Sequence, residues 1–184
     1  MDFVRILDDD RLWAVKYEGE ETNCFDSLFS QWYDMNWLKA FFKDNLSDLS
    51  SFFRITDVYQ AVLETMEEAS RLECLMLDIC PDSNLDTLFR HLENERFAEM
   101  VLGRENAKGE GTKGRPSWLR IYAIKVGSGI YLVTGGAIKL TATMSERSHT
   151  LAELAKLERV RNHLIDNGVF DLEGLNDLVN EQGS

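Results

Sequence analysis

The sequence predicts an α+β protein in which a small antiparallel or mixed sheet packs against N-terminal helices and a C-terminal helix. Residues 118–141 form the one long stretch rich in β-branched and aromatic residues, which favours a sheet centred there. Before and after this stretch, apolar residues recur at the three- and four-residue spacing of amphipathic helices. With 184 residues, 44% of them hydrophobic, the chain is long enough for one good core. We therefore predict a single domain, 1–184.

The chain begins with a predicted hairpin. Short apolar runs at 3–7 and 12–17 flank the polar segment Asp8-Asp9-Asp10-Arg11, as in two strands joined by a turn. Either Thr22 or Asn23 is then a candidate N-cap for a helix. The N-terminal part of the chain thus predicts two strands and a capped helix.

Helices occupy most of the predicted N-terminal half. Apolar and aromatic residues recur at helical spacing over 25–42, and their density favours a core position. A clearer stripe over 55–79 predicts a second helix that ends before Pro81. A short third helix is expected over 85–92, and a further turn or two over 97–102.

The central stretch predicts a hairpin preceded by a loop. Residues 103–117 are polar and glycine-rich, which is typical of a loop. The runs 118–126 and 130–134 are separated by a short glycine-containing gap, which indicates a hairpin turn. A third run, 137–141, follows Gly135-Gly136, which form either a turn or a bulge.

Alternation along the strands assigns their faces. Arg120 and Tyr122 share one face of the first run, and Lys139 points away from its apolar neighbours in the third. We therefore expect one face of the sheet to be core and the other to display these three side chains together.

The C-terminal part predicts one strong helix and a small tail helix. Thr150 with Glu153 three residues later forms a capping-box pattern, and an apolar stripe follows it. Asn167-Gly168 indicates a left-handed stop. An acidic tail helix is expected from Asp171 to about Asn180.

The net charge of −12 is unevenly distributed. Residues 1–100 have 22 acidic and 9 basic residues, whereas residues 101–165 have 11 basic and 5 acidic ones. We accordingly divide the domain into an acidic helical half (1–102), a basic β core with the C-terminal helix (103–168) and an acidic tail (169–184). The basic core allows local contact with a phosphate backbone, although a merely solvated loop explains it equally well.

The composition argues against a membrane-spanning or secreted protein. The chain has no apolar run long enough to span a membrane, and its acidic start lacks a secretory leader. Three cysteines, an odd number without metal-ligand spacing, favour reduced thiols and a cytoplasmic location. We expect no metal and no cofactor.

Two apparent motifs are rejected because the sequence around them does not fit the motif. Residues 109–114 match G-x-G-x-x-G, but Pro116 and a strand follow where a dinucleotide-binding motif requires a helix. Lys125 sits in an A-I-K triplet, yet no H-R-D or D-F-G motif follows it, which excludes a protein kinase. His149, just before a predicted helix, is a candidate acid or base, or a structural residue.

Residues 115–165 resemble the RelE/ParE/HigB superfamily of bacterial toxins, in particular its phage-derived, toxin-like branch. The features that carry the resemblance are Arg120 and Tyr122 on one strand, the apolar run IYLVTGG, Lys139 with Thr141, and a helix from Thr150. The resemblance implies a small antiparallel sheet packed with helices. It also implies metal-independent cleavage of mRNA, commonly on the ribosome, and an antitoxin as partner.

That chemistry needs a base for the ribose 2′-hydroxyl, cations for the developing phosphorane charge and an acid for the leaving oxygen. By resemblance, Arg120, Lys139 and Arg147 supply cations, and Tyr122 or His149 transfers protons. The family typically has a K-K-T motif, which Lys139 and Thr141 match here. The predicted RNA-binding residues of the basic segment and of this motif region are Lys108, Lys113, Arg115, Thr141 and Thr143.

Two functions follow from the sequence. The first is an RNA-directed toxin-like protein of a toxin–antitoxin module. The second is a non-catalytic interaction protein, of a mobile genetic element, that kept the scaffold without the chemistry. Leu140, which replaces the second lysine of K-K-T, and the net charge of −12 motivate this alternative.

Overall fold

The structure, a computed structural model, describes residues 1–80, 83–92, 102–111, 114–140 and 148–182. It confirms the α+β class. The strands are β1 (Asp2–Arg5), β2 (Leu12–Lys16), β3 (Phe89–His91), β4 (Gly103–Lys108), β5 (Leu119–Gly127) and β6 (Ile130–Ile138). The helices are α1 (Cys24–Tyr33), α2 (Met35–Asp44), α3 (Leu46–Phe53), α4 (Val58–Met76), α5 (Leu85–Leu88), α6 (Ser148–Asp166) and α7 (Leu172–Gln182).

The strands form one mixed sheet in the order β1-β2-β6-β5-β4-β3. The two predicted hairpins are confirmed, since β1 pairs antiparallel with β2 and β5 with β6. β2 and β6 run parallel, with Leu12 opposite Tyr131 and Ala14 opposite Val133. The N-terminal hairpin is therefore joined to the central hairpin through the middle of the sheet.

Helices cover both faces of this sheet, so the prediction of one open face is wrong. Along β5, Leu119, Ile121 and Ala123 pack into a core with the N-terminal helices, as does Trp118 just before the strand. Tyr122 and Ile124 pack into a second core with α6 and α7. Alternation assigned the side chains of β5 to opposite faces correctly, but α6 buries the face that was expected to be open.

The predicted helix over 25–42 is two helices with a break at Asp34. Asn23 caps α1, accepting hydrogen bonds from the backbone N–H groups of Phe25 and Asp26 at 3.0 Å each. The carboxylate of Asp34 likewise accepts from the N–H groups of Asn36 and Trp37 and starts α2. The apolar residues keep a helical spacing across the break, so their spacing alone does not reveal it. The capping carboxylate of Asp34 separates the two helices.

Two further predictions of local structure are wrong. The third helix ends at Leu88, and Phe89–His91 forms the edge strand β3. Residues 103–108, expected in a loop, form strand β4 between β3 and β5. Glu105, Asn106 and Ala107 are buried there. Glu105 and Asn106 are polar, so the sequence of this segment does not predict a strand. The segment forms β structure because it pairs with β3 and β5. Of the predicted turn over 97–102, all but Leu102 lies outside the described residues.

Gly135-Gly136 form a bulge within β6 rather than a turn. Tyr122 pairs with Gly135 and Ala123 pairs with Val133, so Thr134 has no partner residue in the register. A Cβ atom on Gly136 would come within 2.6 Å of the carbonyl oxygen of Arg120. The strands approach closely here because a side chain is missing.

The C-terminal helix ends as predicted but begins differently. Gly168 has a φ of 70°, and the N–H groups of Gly168 and Val169 donate to the carbonyls of Ile165 and Leu164, which is a Schellman end. Thr150 lies inside α6 rather than at its N-cap, and the carboxylate of Glu153 accepts from Lys156 instead. The predicted tail helix is present as α7.

A disulfide joins Cys74 to Cys80, with Cα atoms 5.5 Å apart. The prediction of three reduced thiols is therefore wrong for this pair. Cys24 is a free thiol. Within the described part of the chain, no helix is long and apolar enough to cross a membrane.

Candidate functional site

Two of the residues predicted to be catalytic lie on β5 beneath α6. Tyr122 is fully buried, and burial raises the pKa of its hydroxyl. Arg120 is partly buried and donates to the backbone carbonyls of Ser117 and Leu119 at 2.8 and 2.7 Å. Burial lowers the pKa of its guanidinium. Neither side chain is displayed on an open sheet, which corrects the expected arrangement.

The other predicted residues are scattered or lie outside the described part. Lys108 is exposed at the end of β4, and Lys139 is partly exposed just after β6. His149 is in the first turn of α6, where only the backbone is described. Lys113, Thr141, Thr143 and Arg147 lie outside the described residues. Of the predicted catalytic residues whose side chains are described, Arg120 and Tyr122 lie on β5 and Lys139 lies just after β6, the strand that pairs with β5.

Arg115, predicted to bind RNA, belongs to a buried ion cluster. Its Nε donates to Glu64 at 3.0 Å, its Nη2 contacts the same carboxylate, and Glu68 lies 3.3 Å away. The side chains of these three residues are only 15%, 7% and 0% exposed. Its guanidinium also lies 3.7 Å from the centre of the Trp118 ring. This arginine holds the segment before β5 against α4.

Among the described residues, a two-lobed groove lies between α1–α2 and α6; we call it the α1–α6 groove. It crosses the bulge of β6, and its lobes have volumes of about 480 and 450 Å³. Gln31, Gly136, Glu153 and Lys156 line both lobes, so the two lobes are adjacent. This size is in the range of protein sites that bury a small ligand or a short peptide segment.

One lobe, the charged lobe, is lined by polar side chains from both helices. Its α6 wall presents Glu153, Lys156 and Arg159 at three-residue spacing, and its α1 wall presents Ser27 and Gln31. Lys156 donates to Glu153 at 2.7 Å. The cationic groups of Lys156 and Arg159 lie 5.7 and 5.8 Å from the centre of the Tyr17 ring. The charged lobe is therefore of mixed charge, because Glu20 and Glu153 line it together with the two basic side chains.

The floor of this lobe is backbone. Tyr17 donates its hydroxyl to the carbonyl of Thr134 at 2.6 Å, and the thiol of Cys24 donates to the carbonyl of Val133 at 3.2 Å. The carboxylate of Glu153 occupies the position that a Cβ atom of Gly135 would take. The bulge therefore makes room for a half-buried carboxylate against the sheet.

Burial keeps the acidic groups of the floor protonated. It raises the pKa of the Tyr17 hydroxyl, and it raises the pKa of the Cys24 thiol to about 12. A thiol that is protonated at neutral pH is a poor nucleophile. The floor of the groove therefore supplies hydrogen-bonding groups rather than a nucleophile.

The second lobe, the aromatic lobe, is lined by rings from α1 and α2. Trp32 is buried, while Trp37 and Phe41 are partly exposed and stack at 5.3 Å with an interplanar angle of 18°. Ala137 and Ile138 complete this lobe. Because Ala137 pairs with Arg120 across the hairpin, the lobe lies next to one predicted site residue.

Sequence reasoning missed the residues that line the groove. Glu153, Lys156 and Arg159 form a regular stripe on a helix that was predicted, which is a signal for a shared face. Nothing local shows that this face opposes α1 across β6, because that depends on the parallel pairing of β2 with β6. Among the described residues, no group of three or more His, Cys, Asp or Glu side chains is arranged to hold a metal.

No family model, curated protein or solved structure matches the chain.

Proposed function

We propose that this chain is a non-catalytic interaction protein that binds a polypeptide segment of a partner protein in the α1–α6 groove. The observation that carries the proposal is the adjacency of the two lobes, one aromatic and one charged, which share part of their lining. Peptide-binding grooves use apolar pockets for anchoring side chains and polar groups at their edges for register. The groove offers both within one cleft.

The chemistry of the groove specifies the segment. The stacked rings of Trp37 and Phe41 accept a large apolar side chain, and Lys156 and Arg159 attract an acidic one. We therefore expect a segment with an aromatic or large aliphatic anchor and one or more acidic residues beside it.

Charge and burial favour this function over RNA cleavage. The net charge is −12, which repels a polyanion such as RNA far more strongly than a segment with one or two acidic side chains. Arg115 is committed to Glu64 and Glu68, and Tyr122 is buried. A protein that kept a toxin-like scaffold while binding a polypeptide accounts for both facts.

The test is selection of a random peptide library on the intact protein. Trp37→Ala removes the aromatic anchor site. Lys156→Glu with Arg159→Glu reverses the sign of both basic side chains in the charged lobe. We expect an enriched apolar–acidic pattern whose binding falls at least about tenfold in each variant. Lys108→Ala, an exposed base outside the groove, is the matched control and should bind as the wild type does. Peptides that bind all variants equally would refute the groove as the site.

The RNA-directed, toxin-like function is the second candidate, because Arg120 and Lys139 flank the aromatic lobe. Arg120 pairs with Ala137 of that lobe, and the N–H of Lys139 donates to the carbonyl of Trp118. This candidate requires that induced expression slows bacterial growth and cuts mRNA. It also requires that Arg120→Ala combined with Lys139→Ala abolishes both effects in a protein that remains folded.

A further inference from the structure

The disulfide closes a short segment at the C-terminal end of α4. We call residues 74–80 the strap. Cys74 lies in the last turn of α4, and the N–H groups of Ile79 and Cys80 return to its carbonyl at 3.1 and 3.4 Å. Asp78, inside the strap, has a left-handed φ of 59°. Both cysteines are partly exposed, so a small thiol can reach them.

The strap contacts the turn between β1 and β2. Asp78 accepts a hydrogen bond from Nη2 of Arg11 at 2.6 Å, and Arg11 belongs to the turn between β1 and β2. The carbonyl of Arg11 in turn accepts the N–H of Tyr131 at 2.9 Å, where β6 begins. The strap, the β1–β2 turn and the start of β6 are therefore joined by a continuous chain of contacts.

We propose that the Cys74–Cys80 pair is a site of thiol–disulfide exchange whose reduction releases the β1–β2 turn. With the disulfide closed, the loop is short and Asp78 is held in position to meet Arg11. With the pair reduced, the strap gains conformational freedom, because only its backbone hydrogen bonds and the partly exposed Arg11–Asp78 contact then hold it. The substrate class is a dithiol reductant.

The exchange balances as an ordinary two-electron transfer. A thiolate of the reductant attacks one cysteine sulfur, forms a mixed disulfide and releases the other cysteine, which takes up a proton. The second thiol of the reductant then attacks the mixed disulfide and releases the first cysteine. The protein gains two electrons and two protons, and the reductant becomes a disulfide.

Hydrogen exchange of the full-length chain tests the proposal, with reduced dithiothreitol and oxidised glutathione as the probes. In the reduced protein, amides of the strap should exchange at least about tenfold faster. Amides of residues 7–11, together with the Tyr131 amide, should exchange about two- to fivefold faster, because they depend on the strap through one partly exposed ion pair. Cys24→Ser should respond as the wild type does, since the thiol it removes lies outside the pair. Cys74→Ser with Cys80→Ser should exchange rapidly under both conditions.

A further variant separates the strap from its contact. Asp78→Asn keeps the disulfide and weakens the tie to Arg11, so residues 7–11 should exchange faster while the oxidised strap stays protected. Faster exchange confined to the strap on reduction would overturn the proposal. Three free thiols after equilibration with excess oxidised glutathione would overturn it as well, because the pair would then not form.

Discussion

Replacing Arg115 by alanine should destabilise the protein strongly rather than merely remove a surface charge. The guanidinium is in ionic contact with two carboxylates, Glu64 and Glu68, that are almost wholly removed from solvent. It also lies against the face of Trp118. The alanine variant leaves both carboxylates buried beside an empty space.

The magnitude follows from this burial. Breaking a buried pair by removing one partner costs about 3–5 kcal/mol, whereas an exposed ion pair contributes about 0–1 kcal/mol. For a chain of this length we expect the Tm to fall by roughly 6–20 °C. Adding Glu64→Gln and Glu68→Gln to Arg115→Ala should restore part of the loss, because neutral amides cost less to bury than charges.

Urea unfolding followed by tryptophan fluorescence measures the effect. Lys108→Ala is the matched control: it removes another base predicted to bind RNA, but an exposed one, and should change the free energy of unfolding by less than about 0.5 kcal/mol. If Arg115→Ala were as stable as the Lys108 variant, the ion cluster would not hold this segment, and Arg115 would again be available for RNA.

Three further substitutions test other parts of the structure. Burial raises the pKa of Glu105, so its protonated form stabilises the fold below the ordinary carboxyl value of 4.5, and this contribution is lost as the pH rises through the raised pKa. Glu105→Gln should therefore raise stability at neutral pH in urea unfolding, and a loss there would contradict the assignment. Gly136→Ala should cost about 1–3 kcal/mol, because its Cβ would press on the carbonyl of Arg120; an unchanged Tm would argue against so close an approach. Tyr122→Ala should cost about 3–5 kcal/mol by calorimetry, as for a core aromatic, and a neutral effect would reopen the possibility of a surface role.

The elements predicted well are those whose information is local. Asn23 caps α1, Gly168 ends α6 and a glycine-containing gap turns the β5–β6 hairpin; each depends on residues within a few positions. Strand β4 was missed because its residues are polar, and it is placed by pairing with β3 and β5. Local chemistry alone does not reveal such a strand.

The candidate site could not be predicted for a similar reason. Alternation put Arg120 and Tyr122 on one face correctly, but whether that face is open depends on where α6 packs. Likewise, no residue near Arg115 in the sequence indicates an ion-pair partner for it. The fold places α4, with Glu64 and Glu68, against this arginine. Burial of charge is a property of tertiary structure, which residue spacing does not contain.

The most direct test of the account is an NMR titration of the protein with a peptide selected from the random library and, separately, with a short single-stranded RNA. We predict that the peptide shifts the amide signals of the residues lining the α1–α6 groove, including Gln31, Gly136 and Lys156. The RNA should leave these signals unchanged even at about 50 mM salt, where phosphate contacts are strong. RNA-induced shifts at the groove, or peptide-induced shifts confined to another surface, would contradict the proposed interaction function.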